Sequence, residues 1–388
     1  MENIELLLDK NKRGKYKIKL NKQKMIYFNR DRFFSGKTIC SIIEFINAAH
    51  DQFPGIKIPI ILDLGNISFI DKLTFVFLEC ICYILICRYR QEIQIFCTVK
   101  KEIGTEGAYS SPLLLLSSGK VENMKKYIGK FSKDIYGYHL RRLINGNERE
   151  DTNYLGMLYT EIDNFLIPFG VDDGCRDEIS KVIIELVGNA CEHGMTDCLM
   201  DVDVSGDYKK QVDGTEDDEN YYYGINIVVI NFSNHLLGDG IRQKMNTENE
   251  CDNRYKKVQD AYKYHKTHFS DDYFEEDFYN ITAFQHKISG RDKCELTGGT
   301  GLTHLIKSLE KRSDAHRCYM VSGKRAINFY QNYIEYNEDK WIGFNREKDY
   351  FNNIPAHNVI SECLVYMPGT AYNLNFVLKG KKINGENN

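Results

Sequence analysis

Apolar positions along this chain switch repeatedly between a spacing of two and a spacing of three to four, the signatures of strands and amphipathic helices. Residues 16–20 and 25–28 read as strands, 38–50 as a helix, 58–64 as a strand, 72–88 as a helix and 92–99 as a strand. That order predicts a sheet with crossover helices. The longest apolar run, 73–87, is interrupted by Glu79 and falls short of the about 20 residues a membrane span needs, so it reads as a buried helix. Gly, Ser and Pro then surround a short apolar patch at 113–116, and helical spacing continues to about residue 143. Asn145-Gly146-Asn147 and the charged stretch 148–151 form the expected linker.

Beyond it, helical spacing returns at 154–166 and at 173–193, where Ile179, Val182, Ile183, Leu186, Val187 and Ala190 share one face. Residues 207–220 read as an exposed acidic loop and 225–231 as a strand. Strands are also expected at 318–322, 326–330, 364–366 and 372–378. The expected organisation is therefore α/β (α+β), with a first unit over 1–145 and a second over 146–388.

Composition adds exclusions. A net charge of −4 over 388 residues offers no general electrostatic grip on nucleic acid or anionic membrane. The cysteines are scattered through apolar stretches without a C-x-x-C pair, and no apolar leader opens the chain, so reduced thiols and a cytoplasmic location are expected.

Chemistry concentrates in two places. Glu185, Asn189 and His193 stand four apart and line one helical face beside the apolar stripe. A carboxylate there suits a general base, and an amide oxygen suits Mg²⁺, a hard cation; a solvated helix edge is the plain alternative. Thr297-Gly298-Gly299-Thr300-Gly301-Leu302 precedes a helical stretch, where close-approaching amides and the helix dipole favour phosphate oxygens. Its spacing matches neither the P-loop nor the dinucleotide fingerprint.

In this order, Glu185-x-x-x-Asn189-Ala190-x-x-His193-Gly194, Gly298-Gly299-Thr300-Gly301-Leu302 and the late Gly369-Thr370 resemble the N-box, second glycine box and closing Gly-Thr strand of the GHKL ATPase superfamily. The resemblance implies a Bergerat-type α/β sandwich binding ATP and Mg²⁺. Asn189 would hold the metal and Glu185 would activate water or an acceptor hydroxyl. His193 would continue the ridge, Gly298, Gly299, Thr300, Gly301 and Leu302 would contact the phosphates, and Thr370 would close the site. The first glycine box departs from the family. Asn231 stands where an aspartate accepts the adenine amino group, and the Gly-x-Gly-Ile ending comes later, as Gly238-Asp239-Gly240-Ile241. A neutral acceptor at Asn231 makes a hydrogen bond of roughly half the strength of a charged one.

Between the glycine boxes, 242–296 reads either as a solvated, partly helical insertion or as an ATP-dependent lid. Its His265-x-x-His268 has metal-pair spacing but no third ligand. In the first unit, Ile60-Ile-Leu-Asp63-Leu-Gly-Asn-Ile-Ser68-Phe-Ile-Asp71 resembles the central strand and loop of STAS domains. Lys72-Leu73-Thr74 replaces the usual phosphorylatable hydroxyl, so docking is expected there, with Asp63 and Asp71 capping turns. These resemblances imply an ATPase or an anti-sigma-type serine/threonine protein kinase in a bacterial signalling, stress or defence module. The alternative is a catalytically silent, nucleotide-gated protein-binding switch. The expected partners are ATP and a STAS-like or regulatory protein, with a homodimer allowed; membrane and nucleic acid are not expected.

Overall fold

A computed structural model describes residues 1–12, 16–99, 111–145, 148, 151, 153–194, 196–205, 221–246, 253–288, 301–312 and 318–380. Two sheets carry the architecture. The first is mixed: β1 (Leu20–Asn21) pairs antiparallel with β2 (Lys24–Phe28), while β2, β3 (Phe33–Phe34) and β5 (Ile93–Val99) run parallel to the central β4 (Ile60–Phe69). After the short α1 (Leu6–Asp9), the crossovers are α2 (Gly36–Gln52) and α3 (Lys72–Cys87). Asp71 caps α3, accepting the Thr74 amide at 2.7 Å, and the Asp63 carboxylate accepts the Gly65 amide at 3.3 Å, so both aspartates do the expected local work. A 3-10 turn (Pro112–Ser118) and α4 (Val121–Ser132) complete this unit.

The second sheet is antiparallel, in the order β10-β11-β9-β8-β7-β6. Helical spacing to residue 143 proves misleading: 133–144 is a hairpin of β6 (Lys133–Tyr136) and β7 (His139–Ile144), and β7 pairs with β8 (Cys198–Ser205). The second sheet thus begins at Lys133, ahead of the 145/146 boundary that the Asn-Gly-Asn linker suggests. Next come α5 (Tyr154–Leu166), α6 (Asp173–Gly194), β8 and β9 (Tyr221–Phe232). The segment expected to be a solvated insertion is three helices, α7 (Asp239–Asn246), α8 (Asn253–Lys266) and α9 (Glu275–Thr282). Their Ile241, Tyr255, Val258, Ala261, Phe278 and Ile281 are buried in the main core of the second unit, so the insertion is an integral layer. Burial of the Ile, Val and Phe side chains among them contributes about 1.5–3 kcal/mol each.

The chain closes with α10 (Gly301–Arg312), β10 (Tyr319–Asn328) and β11 (Ile360–Gly380). The two strands expected at 318–322 and 326–330 are halves of β10, which folds at Gly323 (φ +59°) so sharply that Phe329 N–H reaches Cys318 O at 2.8 Å. Alternation divides the six-stranded sheet cleanly. Cys198, Met200, Val202 and Val204 face the core beneath α5 and α6, whereas Leu199, Val228, Ile230 and Phe232 join the core of the first unit. Helix α3 is apolar nearly all round because it lies between the two sheets, touching β4 and β5 on one side and β9 and β11 on the other.

Candidate functional site

The sheet face beneath α6 carries the family-like residues. Asp172 caps this helix through the Cys175 amide, at 3.0 Å. Ile179, Val182, Ile183, Leu186 and Val187 are buried, which leaves Glu185 and Asn189 half-buried along one flank, one turn apart. The helical backbone continues through His193, whose side chain lies outside the described residues. Helix α6 ends at Gly194, and β8 opens at Cys198, whose cross-strand partner is Asn231. The C-terminal end of α6 and Asn231 therefore belong to one end of the sheet.

Asn231 alternates with the core residues Ile225, Ile227 and Val229, so it too faces the helix layer. Its partner on β11 is Thr370, and the partner of Thr370 on β10 is Ser322. Asn231, Thr370 and Ser322 form a buried polar row. The Ser322 hydroxyl donates to Gly369 O at 2.8 Å and accepts the Leu237 amide at 3.0 Å, tying the loop after β9 to the bend of β11. Gly369 is obligatory at that bend: φ is +94°, and a Cβ would stand 2.3 Å from Asn231 O.

The lengthened first glycine box packs closely against a helix at its first glycine. Gly238 is buried against α9, where a Cβ would lie 2.5 Å from the Tyr279 Cβ. The glycine thus admits a helix, and its Cα is closed to a ligand. Gly240 lies in the first turn of α7. Beside this contact, α9 buries Asn280 completely without a hydrogen-bonding partner for its amide, and Glu276 Oε1 is likewise buried and unpartnered. Burial, then the neighbouring Asp277, pushes the Glu276 carboxyl up to about 6.

Gly301 and Leu302 open α10, which packs along α6 through a 3.0 Å hydrogen bond from Ser308 to Glu178; Gly298, Gly299 and Thr300 lie outside the described residues. The first turn of α10 has an unusual electrostatic setting. Thr303 Oγ1 lies 3.3 Å from His286 Nδ1. Burial pushes this imidazole down to about 4, helped by Lys340, Arg254, Lys287 and Lys307. Thr303 stands in the first turn of α10, the positive end of the helix dipole. Arg254 is further held over the Trp341 ring, 4.3 Å from its centroid.

Sequence reasoning passes over Ser322, Asn280 and this cation group. Strand alternation with Met320 could have found Ser322, but the cations come from separate segments that only the fold assembles. His265 is a structural residue, bonded to the Tyr273 hydroxyl and Tyr350 O at 2.7 Å each, and His268 Nδ1 lies 3.0 Å from Tyr264 O. Among the described residues no group of three or more His, Cys, Asp or Glu could hold a metal, and no helix is long and apolar enough to cross a membrane. No protein-family model, curated protein or solved structure matches this chain.

The opposite face of the same sheet is also polar, and it is sealed. Lys72 at the start of α3 forms ion pairs with Asp201 and Asp203 of β8, and Arg141 of β7 pairs with Asp201 and with Glu79 of α3. His139 lies between Asp201, at 3.0 Å, and Asp134, at 3.3 Å, and Lys130 reaches Asp134 at 2.8 Å. Asn226 donates to Asp203 at 2.6 Å, and Asn373 accepts the Leu73 amide at 3.0 Å. Burial works against the charge on His139, but Asp201 and the hydrogen bonds to Asp134 and Asp201 prevail and raise its pKa.

Proposed function

We propose that this chain binds Mg²⁺·ATP between α6, the Asn231–Thr370–Ser322 row and the first turn of α10. It then acts as an ATPase or a serine/threonine protein kinase within a bacterial signalling, stress or defence module, and the cytoplasm is the setting that fits. The observation that carries this reading is the cross-strand pairing of Asn231 with Thr370 on the face covered by α6, at the sheet end where that helix finishes. The GHKL resemblance requires those groups to converge, although they are distant in sequence. The N-terminus of α10, with His286 3.3 Å from Thr303, adds the positive end of a helix dipole, which suits phosphates.

The residues fit the absent group. Asn189 would offer an amide oxygen to magnesium, Asn231 and Thr370 would face the base, and the α10 end would take phosphate oxygens. When bound, the nucleotide supplies an electrophilic terminal phosphoryl group. Glu185, half-buried on the same flank as Asn189, takes the proton of the attacking hydroxyl. The deciding experiment is calorimetry of ATP with and without Mg²⁺ on wild type and Asn189→Ala. Loss of magnesium-dependent binding in the variant is expected, and unchanged affinity would remove the assignment. Labelled ATP, incubated with the protein alone and with candidate protein partners, then separates hydrolysis from transfer. Binding without turnover in either arm favours a nucleotide-gated switch.

A further inference from the structure

The outer face of the first sheet, away from α2 and α3, holds a row unrelated to the nucleotide reading. In the parallel register Phe28 of β2, Asp63 of β4 and Phe96 of β5 lie side by side. Their neighbours Tyr27, Leu62 and Ile95 are buried in the core, so these three side chains project outward. Phe28 is 58% and Phe96 44% exposed, large values for aromatic rings on a sheet. The Asp63 carboxylate between them accepts only the long bond from the Gly65 amide and, among the described residues, forms no ion pair.

Beside this row opens a cavity of about 340 Å³, lined by Asp63, Asn66, Phe96, Thr98, Leu114 and Ser117 among others. It lies toward the carboxyl ends of β4 and β5, the end of a parallel sheet at which open α/β folds bind ligands, and its volume falls at the small end of the ligand-pocket range. Adjacent strands are about 4.8 Å apart, so the backbone positions of Phe28 and Phe96 are about 10 Å from each other across Asp63, and Asp63 and Phe96 both line the cavity. A cation seated over Asp63 would meet a negative charge with an aromatic ring on either neighbouring strand. We propose that this slot binds a small organic cation, ammonium or guanidinium, with its apolar body along Leu114 and its polar end toward Ser117, Thr98 and Asn66.

The test uses the full chain and calorimetric titration with choline and agmatine, set against 3,3-dimethylbutanol, the uncharged isostere of choline. Saturable binding of either cation, with the isostere at least about tenfold weaker, is expected. Asp63→Asn should remove that preference and Phe28→Ala should weaken the cation, both with an unchanged melting temperature because these side chains are exposed or half-exposed. Equal binding of the isostere, indifference to Asp63→Asn, or no saturable binding of either cation would each overturn the proposal.

Discussion

The two faces of the six-stranded sheet are both polar where a sheet usually buries aliphatic residues, yet they differ in one respect. Toward α3 the carboxylates of Glu79, Asp134, Asp201 and Asp203 meet Lys72, Lys130, Arg141 and His139, with Asp201 shared by Lys72, Arg141 and His139. On the helix side Glu185 and Asn189 of α6 are half-buried, and in α9 Asn280 and Glu276 Oε1 are buried without hydrogen-bonding partners. Buried charge persists only when paired. The first face is consequently a nearly closed joint, in which Arg141 Nη1 is buried without a hydrogen bond, whereas the second leaves its carboxylate and amide half-exposed.

The sharpest way to break this contrast is Arg141→Met, which leaves Glu79 buried without its cation and Asp201 with only Lys72 and His139. A loss of about 3–5 kcal/mol in denaturant unfolding is expected, and a loss below about 1 kcal/mol would mean that the joint is not what holds the two units together. Gly238→Ala places a Cβ 2.5 Å from the Tyr279 Cβ and should cost about 1–3 kcal/mol, since helix and loop must part. Its accompanying loss of ATP affinity, if the nucleotide reading holds, would be read on the same protein by calorimetry.

A pH series isolates His139. It holds its proton more tightly folded than unfolded, so its contribution is full below the ordinary value of 6.5 and fades as pH rises through the higher folded value. Wild type should therefore lose stability on the alkaline side of 6.5, and His139→Gln should flatten that limb in thermal melts across pH. The smallest effect belongs to the other face. Glu185→Gln should change stability by less than about 0.5 kcal/mol and leave ATP binding intact, while stopping turnover. A large loss of stability would mark Glu185 as part of the joint rather than the site.

The contrast also explains which elements were legible in the sequence. Helices α3, α5 and α6 follow from apolar spacing because a packed helix face is written locally. Strand β8 escapes such reading, since Cys-Leu-Met-Asp-Val-Asp-Val-Ser carries aspartates that disfavour strands and resemble a solvent-facing edge. Their partners, Lys72 and Arg141, lie far away along the chain. The β6–β7 hairpin is missed because its edge position leaves Ile135 and Tyr136 exposed and its pattern diluted. Motif order singled out Asn189, Asn231 and Thr370, and the last two are cross-strand partners. Gly238 packs against α9, a contact that the Gly-x-Gly-Ile pattern by itself does not foretell.

The hairpin at 133–144 has a practical bearing. Cutting at the acidic stretch near 148–151 would strip two strands from the second sheet, and cutting just before Lys133 would restore them while baring Asp201 and Asp203 to water without Lys72. Either cut parts the buried charges of β8 from partners across the joint, so the two units are best expressed as one chain.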